Sequence, residues 1–197
     1  MKQKIKFIFF LITSIRLVPH LCFFYLHSNK YVIQYDVARW AKILSLTKNL
    51  SIQFLHLMTY YEEYRNLFYY RIGTWSHLIK WLCPPMNTLF LRASEIGKGL
   101  FIQHGFSTSV GAQKIGDNCW INQQVTIGFT NDTDCPVIED NVTIYVGARV
   151  LGNVTVGKNS IIGANAVVIK SVPENCTVVG VPAYIVRRNG VKVKEKL

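Results

Sequence analysis

The sequence predicts an α+β protein: an N-terminal helical region followed by a β-solenoid of triangular cross-section. Three observations carry this. Before residue 83, aromatic and aliphatic residues recur at helical spacing; Pro84-Pro85 forbids helix continuation; and from Ile96 onward the apolar period becomes six. The boundaries that follow are 1–82 (helical), 83–94 (connection), 95–188 (solenoid) and 189–197 (a basic tail).

In the helical region the clearest run is Phe54, Leu57, Met58, Tyr61, Tyr64, Leu67 and Phe68, with Glu62, Glu63 and Arg65 between its members. The first residues are ambiguous. Lys2, Lys4 and Lys6 precede the apolar stretch Phe7–Ile12, as in a signal peptide, but no small-x-small cleavage site follows. Arg16, Pro19 and His20 interrupt the stretch before it reaches the ~20 apolar residues of a spanning helix. A helix packed on its own protein is the expectation, and peripheral contact with the inner membrane face through the basic residues is the alternative.

In the solenoid, aliphatic residues open successive hexads at Ile96 and Ile102, at Ile115, Ile121 and Ile127, and at Ile138, Ile144, Val150, Val156, Ile162 and Val168. The last six in unbroken register arise by chance about once in 4,000 if one residue in four is aliphatic. Each hexad is a short strand and a corner, and three make a coil. The aliphatic residue points inward and stacks on its counterpart one coil away, because a lone coil has no interior to bury. Eleven hexads supply almost four coils. The register slips twice: by one extra residue between Ile102 and Ile115, and by five between Ile127 and Ile138. The second slip extrudes a loop at Phe129–Pro136.

Composition narrows the function. Half of the 197 residues are hydrophobic and 17% are charged, which excludes a disordered chain. Of the net charge of +11, +9 is carried by residues 1–100, with 13 Lys/Arg against 4 Asp/Glu. No helix-turn-helix, zinc-finger or RNA-recognition signature accompanies it, so nucleic acid is not an expected partner. Five cysteines without C-x-x-C spacing read as reduced thiols in a cytoplasmic protein, with the inner membrane face as the peripheral alternative.

The repeats, the stretch VLGNVTVGKNSIIGANAVV (Val150–Val168) and the closing VVGVPA (Val178–Ala183) resemble the hexapeptide-repeat acyltransferases, most closely the serine acetyltransferase-like branch. The resemblance covers Ile96–Arg188. It implies a left-handed parallel β-helix, a homotrimer, and acetyl-CoA as co-substrate without a metal.

The count of hexads places Ile102, Ile121, Ile144 and Ile162 on one side of successive coils, and His104, Gln123, Val146 and Ala164 in a column along one edge. His104 is the only histidine of the repeat region and falls where the family keeps its catalytic histidine. A general base of that kind removes the proton of an attacking hydroxyl, while a backbone N–H, expected within Val125–Gly128, holds the oxyanion. The resemblance further implies that Val146, Gly147, Gly163 and Ala164 line the pantetheine channel. Lys170, with Lys158, Arg187 and Arg188, is expected to receive the nucleotide phosphates. A lyase with three histidine ligands to a metal is excluded by the single histidine.

At the acceptor site the sequence departs from the serine enzymes. Gln103 replaces an aspartate before the histidine, Asp134-Cys135 replaces an Arg-His pair, and Leu89 aligns with a further aspartate. Gln103, Asn122, Gln123, Asn131, Asp132 and Asp134 suit a neutral polyol. The expectation is therefore an acetyl-CoA-dependent sugar O-acetyltransferase of surface or capsular polysaccharide assembly. Serine O-acetyltransferase of cysteine biosynthesis is the alternative.

Overall fold

The computed structural model describes residues 14–131 and 133–197, and the chain divides between Pro85 and Met86 into two compact units. The early run Lys2–Ile12 and Asp132 lie outside the described residues.

The first unit holds helices α1 (Val18–Leu26), α2 (Lys30–Ile43), α3 (Leu50–Tyr60), α4 (Glu62–Ile72) and the short α5 (Ser76–Ile79). The long periodic run is broken at Tyr61, whose extended backbone (φ −123°) ends α3 and begins α4. Asn49 caps α3 by accepting the Ile52 amide at 3.0 Å. Apolar stripes of the helices meet in an aromatic core: Phe24 stacks on Phe54 at 4.6 Å between centroids, and Phe54 meets Phe68 at 5.2 Å. Polar groups are buried with it. Arg71 Nε donates to Asp36 at 2.8 Å. Arg65 donates to the carbonyls of Met58, Thr59 and Pro84. His20 Nε2 meets the Tyr69 hydroxyl at 2.8 Å.

The second unit is a parallel left-handed β-helix whose three faces are three sheets. The first face stacks β1 (Leu89–Leu91), β4 (Thr108–Val110), β7 (Thr126–Gly128), β10 (Arg149–Leu151) and β13 (Val167–Val168). The second stacks β2 (Glu95–Ile96), β5 (Lys114–Ile115), β8 (Val137–Ile138) and β11 (Thr155–Val156), continued by a bridge to Val172. The third stacks β3 (Phe101–Gln103), β6 (Trp120–Asn122), β9 (Thr143–Ile144), β12 (Ile161–Ile162) and β14 (Cys176–Val179). An antiparallel hairpin, β15 (Tyr184–Arg188) and β16 (Val191–Lys196), extends that face.

Inside, Ile102, Ile121, Ile144, Ile162 and Val178 stand in register, all at most 1% exposed. At the edge between the second and third faces, Asn118, Asn141, Asn159 and Asn175 each adopt φ near +58° three residues after an inward aliphatic. Asparagine tolerates that left-handed corner better than most residues, and the Asn141, Asn159 and Asn175 amides also bond to one another along the edge.

Three expectations change. There are five coils, not almost four, because β1 supplies an additional strand before Glu95 and β14 a last one after Val172. Part of the stretch read as a connection, 83–94, is thus already solenoid. Residues 189–197 are not a simple tail: Val191–Lys196 is a strand paired to β15, and its alternating Val-Lys-Val-Lys carries the period of two. All five cysteines are free thiols.

Candidate active site

The site is built on the edge between the third face of one coil and the first face of the next. There the amide of each left-handed corner residue bonds to a carbonyl one coil down: Asn165 to Val146 (2.9 Å), Gly147 to Gln123 (3.2 Å) and Gln124 to Phe106 (3.0 Å). This ladder makes Phe106, not His104, the counterpart of Gln123 and Val146. The inward residues agree. Ile121 to Ile127, Ile144 to Val150 and Ile162 to Val168 each take six residues, whereas Ile102 to Val110 takes eight and Val110 to Ile115 five. The single extra residue counted from sequence is therefore two extra at this corner and one fewer at the next. His104 and Gly105 are the two that the other coils lack.

A two-residue excess at a closed corner has nowhere to go but outward. His104 is exposed, with φ +66°, followed by Gly105 at +60° and Ser107 at +52°. The Phe106 amide donates to the His104 carbonyl at 2.8 Å and tightens the bulge. A left-handed histidine costs about 1–2 kcal/mol, strain of the kind that clusters at functional positions. The imidazole makes no hydrogen bond to another described residue and is open to an incoming hydroxyl.

Around it, Gln103 lies beside Asn122 in the third face, and the Asn122 amide donates to Gln103 Oε1 at 3.4 Å. The side-chain amide oxygens of Asn122 (Oδ1) and Gln123 (Oε1) are shielded and without a partner among the described residues. Along the same edge, two and three coils beyond the bulge, stand Val146, Gly147, Gly163 and Ala164. Both glycines have close neighbours, and Gly147 also holds a left-handed φ of +69°. A Cβ on Gly147 would collide with the Asn165 side chain, and one on Gly163 would lie 2.7 Å from Val179 Cγ1. The amides of Gly147 and Gly163 and the Val146 carbonyl are engaged between coils, leaving Ala164 exposed. In Val125–Gly128, where the oxyanion donor was expected, the Thr126 amide is already bonded to Ala148.

The other predicted residues sit elsewhere. The Phe129–Pro136 loop leaves the edge between the first and second faces, so one chain does not bring it to His104. Asp134 is its internal tie: the carboxylate accepts from the Thr130 amide (2.7 Å) and hydroxyl and from the Asn131 amide (3.2 Å). The Thr130 hydroxyl, foremost, holds the Asp134 carboxyl below its ordinary value. Asn131 Oδ1 accepts from Thr133 and from the Asp134 amide. Burial, with the Asp134 charge second, pushes the Cys135 thiol up, which disfavours a thiolate nucleophile. Lys170 lies on the loop's edge too, its Nζ donating to the Leu197 carbonyl at 2.9 Å. It lines a cleft of about 760 Å³ with Tyr184, Lys194 and Lys196, a basic cluster that the tail reading missed. Lys158 pairs with Asp140 and Arg188 with Glu195. No group of three metal-ligating side chains occurs among the described residues.

A family described as bacterial transferase hexapeptide (six repeats) matches residues 135–170. That match and the three-faced solenoid support the hexapeptide-repeat, left-handed β-helix acyltransferase family for this part of the chain. The chain is 35% identical over 153 residues to a serine acetyltransferase of Synechococcus elongatus, covering 71% of this chain and 63% of that one. It is 49% identical over 104 residues to a serine acetyltransferase of Staphylococcus aureus, covering 51% of this chain and 49% of the relative. The chain thus spans about half to under two thirds of the length of these relatives. Among solved structures, the serine acetyltransferase of Brucella abortus in complex with coenzyme A superposes with a TM-score of 0.64 at 28% identity, over 80% of this chain and 67% of that one.

These relatives overturn the expectation of a capsular sugar O-acetyltransferase, since each is a serine acetyltransferase. The physical reason lies in the residues that suggested the polyol. Asp134 and Asn131 hold their own loop together, Gln103 is engaged with Asn122, and Asp132 lies outside the described residues.

Proposed function

We propose that the chain is an acetyl-CoA-dependent O-acetyltransferase whose acceptor is L-serine, with His104 as general base. The observation that carries the catalytic part is the outward bulge. It alone breaks the edge ladder, and it presents an unpartnered imidazole at the foot of the column Gln123, Val146 and Ala164. The serine acceptor rests on the relatives' names.

In the reaction, His104 takes the proton of the serine hydroxyl as that oxygen attacks the thioester carbon. The tetrahedral oxyanion collapses, the C–S bond breaks, and the imidazolium returns its proton to the departing thiolate. The products are O-acetylserine and coenzyme A. Coils are spaced about 4.8 Å apart, so His104 to Ala164 spans roughly 14 Å of edge, suited to a pantetheine arm laid lengthwise. The basic cleft at Lys170 lies on a different edge of the same chain. A homotrimer that sets one protomer's loop edge against its neighbour's His104 edge would unite thioester channel, loop and cations. Within this proposal the enzyme is cytoplasmic, and the helical unit makes peripheral contact with a membrane.

The test supplies purified protein with acetyl-CoA and follows free thiol release with L-serine, with a panel of sugars and without acceptor. Serine-dependent release with O-acetylserine in the product is expected, and its absence overturns the acceptor. Light scattering should give three times the 22.5 kDa chain mass or a multiple of that.

A further inference from the structure

Helix α1 carries no charged residue, yet its outward side is aliphatic. Val18, Cys22 and Leu26, spaced by four, share that side, with Val18 55% and Leu26 81% exposed. A helix apolar on both sides is normally covered on both. The outer side continues: the Phe23 and Trp75 rings lie 6.1 Å apart, and Leu26, Phe23 and Trp75 border a shallow hollow of about 360 Å³. From Trp75 the exposed apolar residues run on at three-residue spacing through Leu78 to Trp81, the last 72% exposed with its indole N–H donating to the Leu78 carbonyl.

The segments that form this face carry charges of one sign. Residues 14–35 and 64–85 contain no aspartate or glutamate, and their exposed or half-exposed cations are Arg16, Lys30 and Lys80. A second copy meeting the face about a two-fold axis would set like charges together around the apolar centre. An anionic bilayer supplies both missing complements, hydrocarbon for the aliphatic residues and phosphate for the cations. Tryptophan also favours the headgroup boundary. No described helix is long and apolar enough to cross a membrane, so contact is with the surface.

We propose that the face formed by Val18, Leu26, Trp75, Leu78 and Trp81 docks the protein onto anionic lipid, burying these side chains at the headgroup–acyl boundary. The reading gives a specific surface to the peripheral contact above and does not depend on the identity of the acceptor.

The experiment floats the full chain with vesicles of equal parts phosphatidylglycerol and phosphatidylcholine, and with phosphatidylcholine alone. The expected result is binding to the anionic vesicles, with a blue shift of tryptophan emission and about tenfold weaker partition at high salt. The double variant Leu26→Glu/Leu78→Glu should lose about tenfold or more in partition, with thiol release and native mass unchanged. Lys80→Glu, which alters only charge, should weaken partition less. Absence of wild-type flotation, or undiminished flotation of the double variant, overturns the proposal. So does a double variant that floats normally but has a smaller native mass, because the face is then covered by another copy of the chain.

Discussion

The two units solve burial in opposite ways. The helical unit hides charge and titratable groups among its aromatics: His20 is wholly buried, Asp36 is 1% exposed, and Arg65 and Arg71 are under 10%. Among the described residues of the solenoid, only Thr108 and Ser160 are buried polar side chains, and its interior is an aliphatic stack. The solenoid therefore leaves its polar side chains to its faces and edges, where residues change without disturbing the core. In the helical unit polar residues are part of what holds the unit together.

The largest effect expected from this contrast is on activity alone. His104→Asn keeps a residue that tolerates the left-handed corner and removes the base. It should lower kcat by ~10²–10⁴-fold in a thiol-release assay. The far-ultraviolet spectrum and melting temperature should stay as in the wild type. A melting temperature that falls with the rate would mean that this edge is structural.

The converse belongs to the helical unit. Arg71→Met leaves the Asp36 carboxylate buried without its ion pair and should destabilise the unit by about 3–5 kcal/mol. Denaturant titration followed through Trp40 fluorescence reads this. The double variant Asp36→Leu/Arg71→Met should recover much of the loss, since it leaves no stranded charge.

A smaller effect separates the units by pH. Burial, with Arg16 and Arg65 adding repulsion, pushes the pKa of His20 down to about 4 from its ordinary 6.5. The unfolded chain then binds a proton that the folded chain refuses. The stability from a neutral His20 is complete above pH 6.5 and declines as pH falls from 6.5 towards 4. Helical-unit melting should show this slope, and His20→Phe should flatten it. A solenoid that melts with the same slope would erase the contrast.

The smallest effect lies at a corner. Asn159→Ala places a Cβ-bearing residue without asparagine's local hydrogen bonding at φ +59°, and should cost about 1–2 kcal/mol. Asn159→Gly should cost less, which thermal melts can resolve.

The site was legible in part. The six-residue period located the prism and the aliphatic column, because one inward residue per face is a constraint that every coil repeats. The same arithmetic gave only the sum of the slips between Ile102 and Ile115. A gain of two and a loss of one look like a single extra residue until strand pairing assigns each to its corner. For Asp134 and Gln103, side-chain chemistry names what each residue can bond to, and only the structure adds that Thr130 and Asn122 are the neighbours already there.

What the sequence determined by itself is the repeat, the division at the proline pair and the lone repeat-region histidine. These are local requirements of φ, ψ and burial that recur at fixed spacing. What only the tertiary structure decided is that His104 stands outside the ladder, that Lys170 and the loop share another edge, and that the last residues form a strand. Those depend on which coil each segment lies against, and register between coils is set by hydrogen bonds between residues some twenty positions apart.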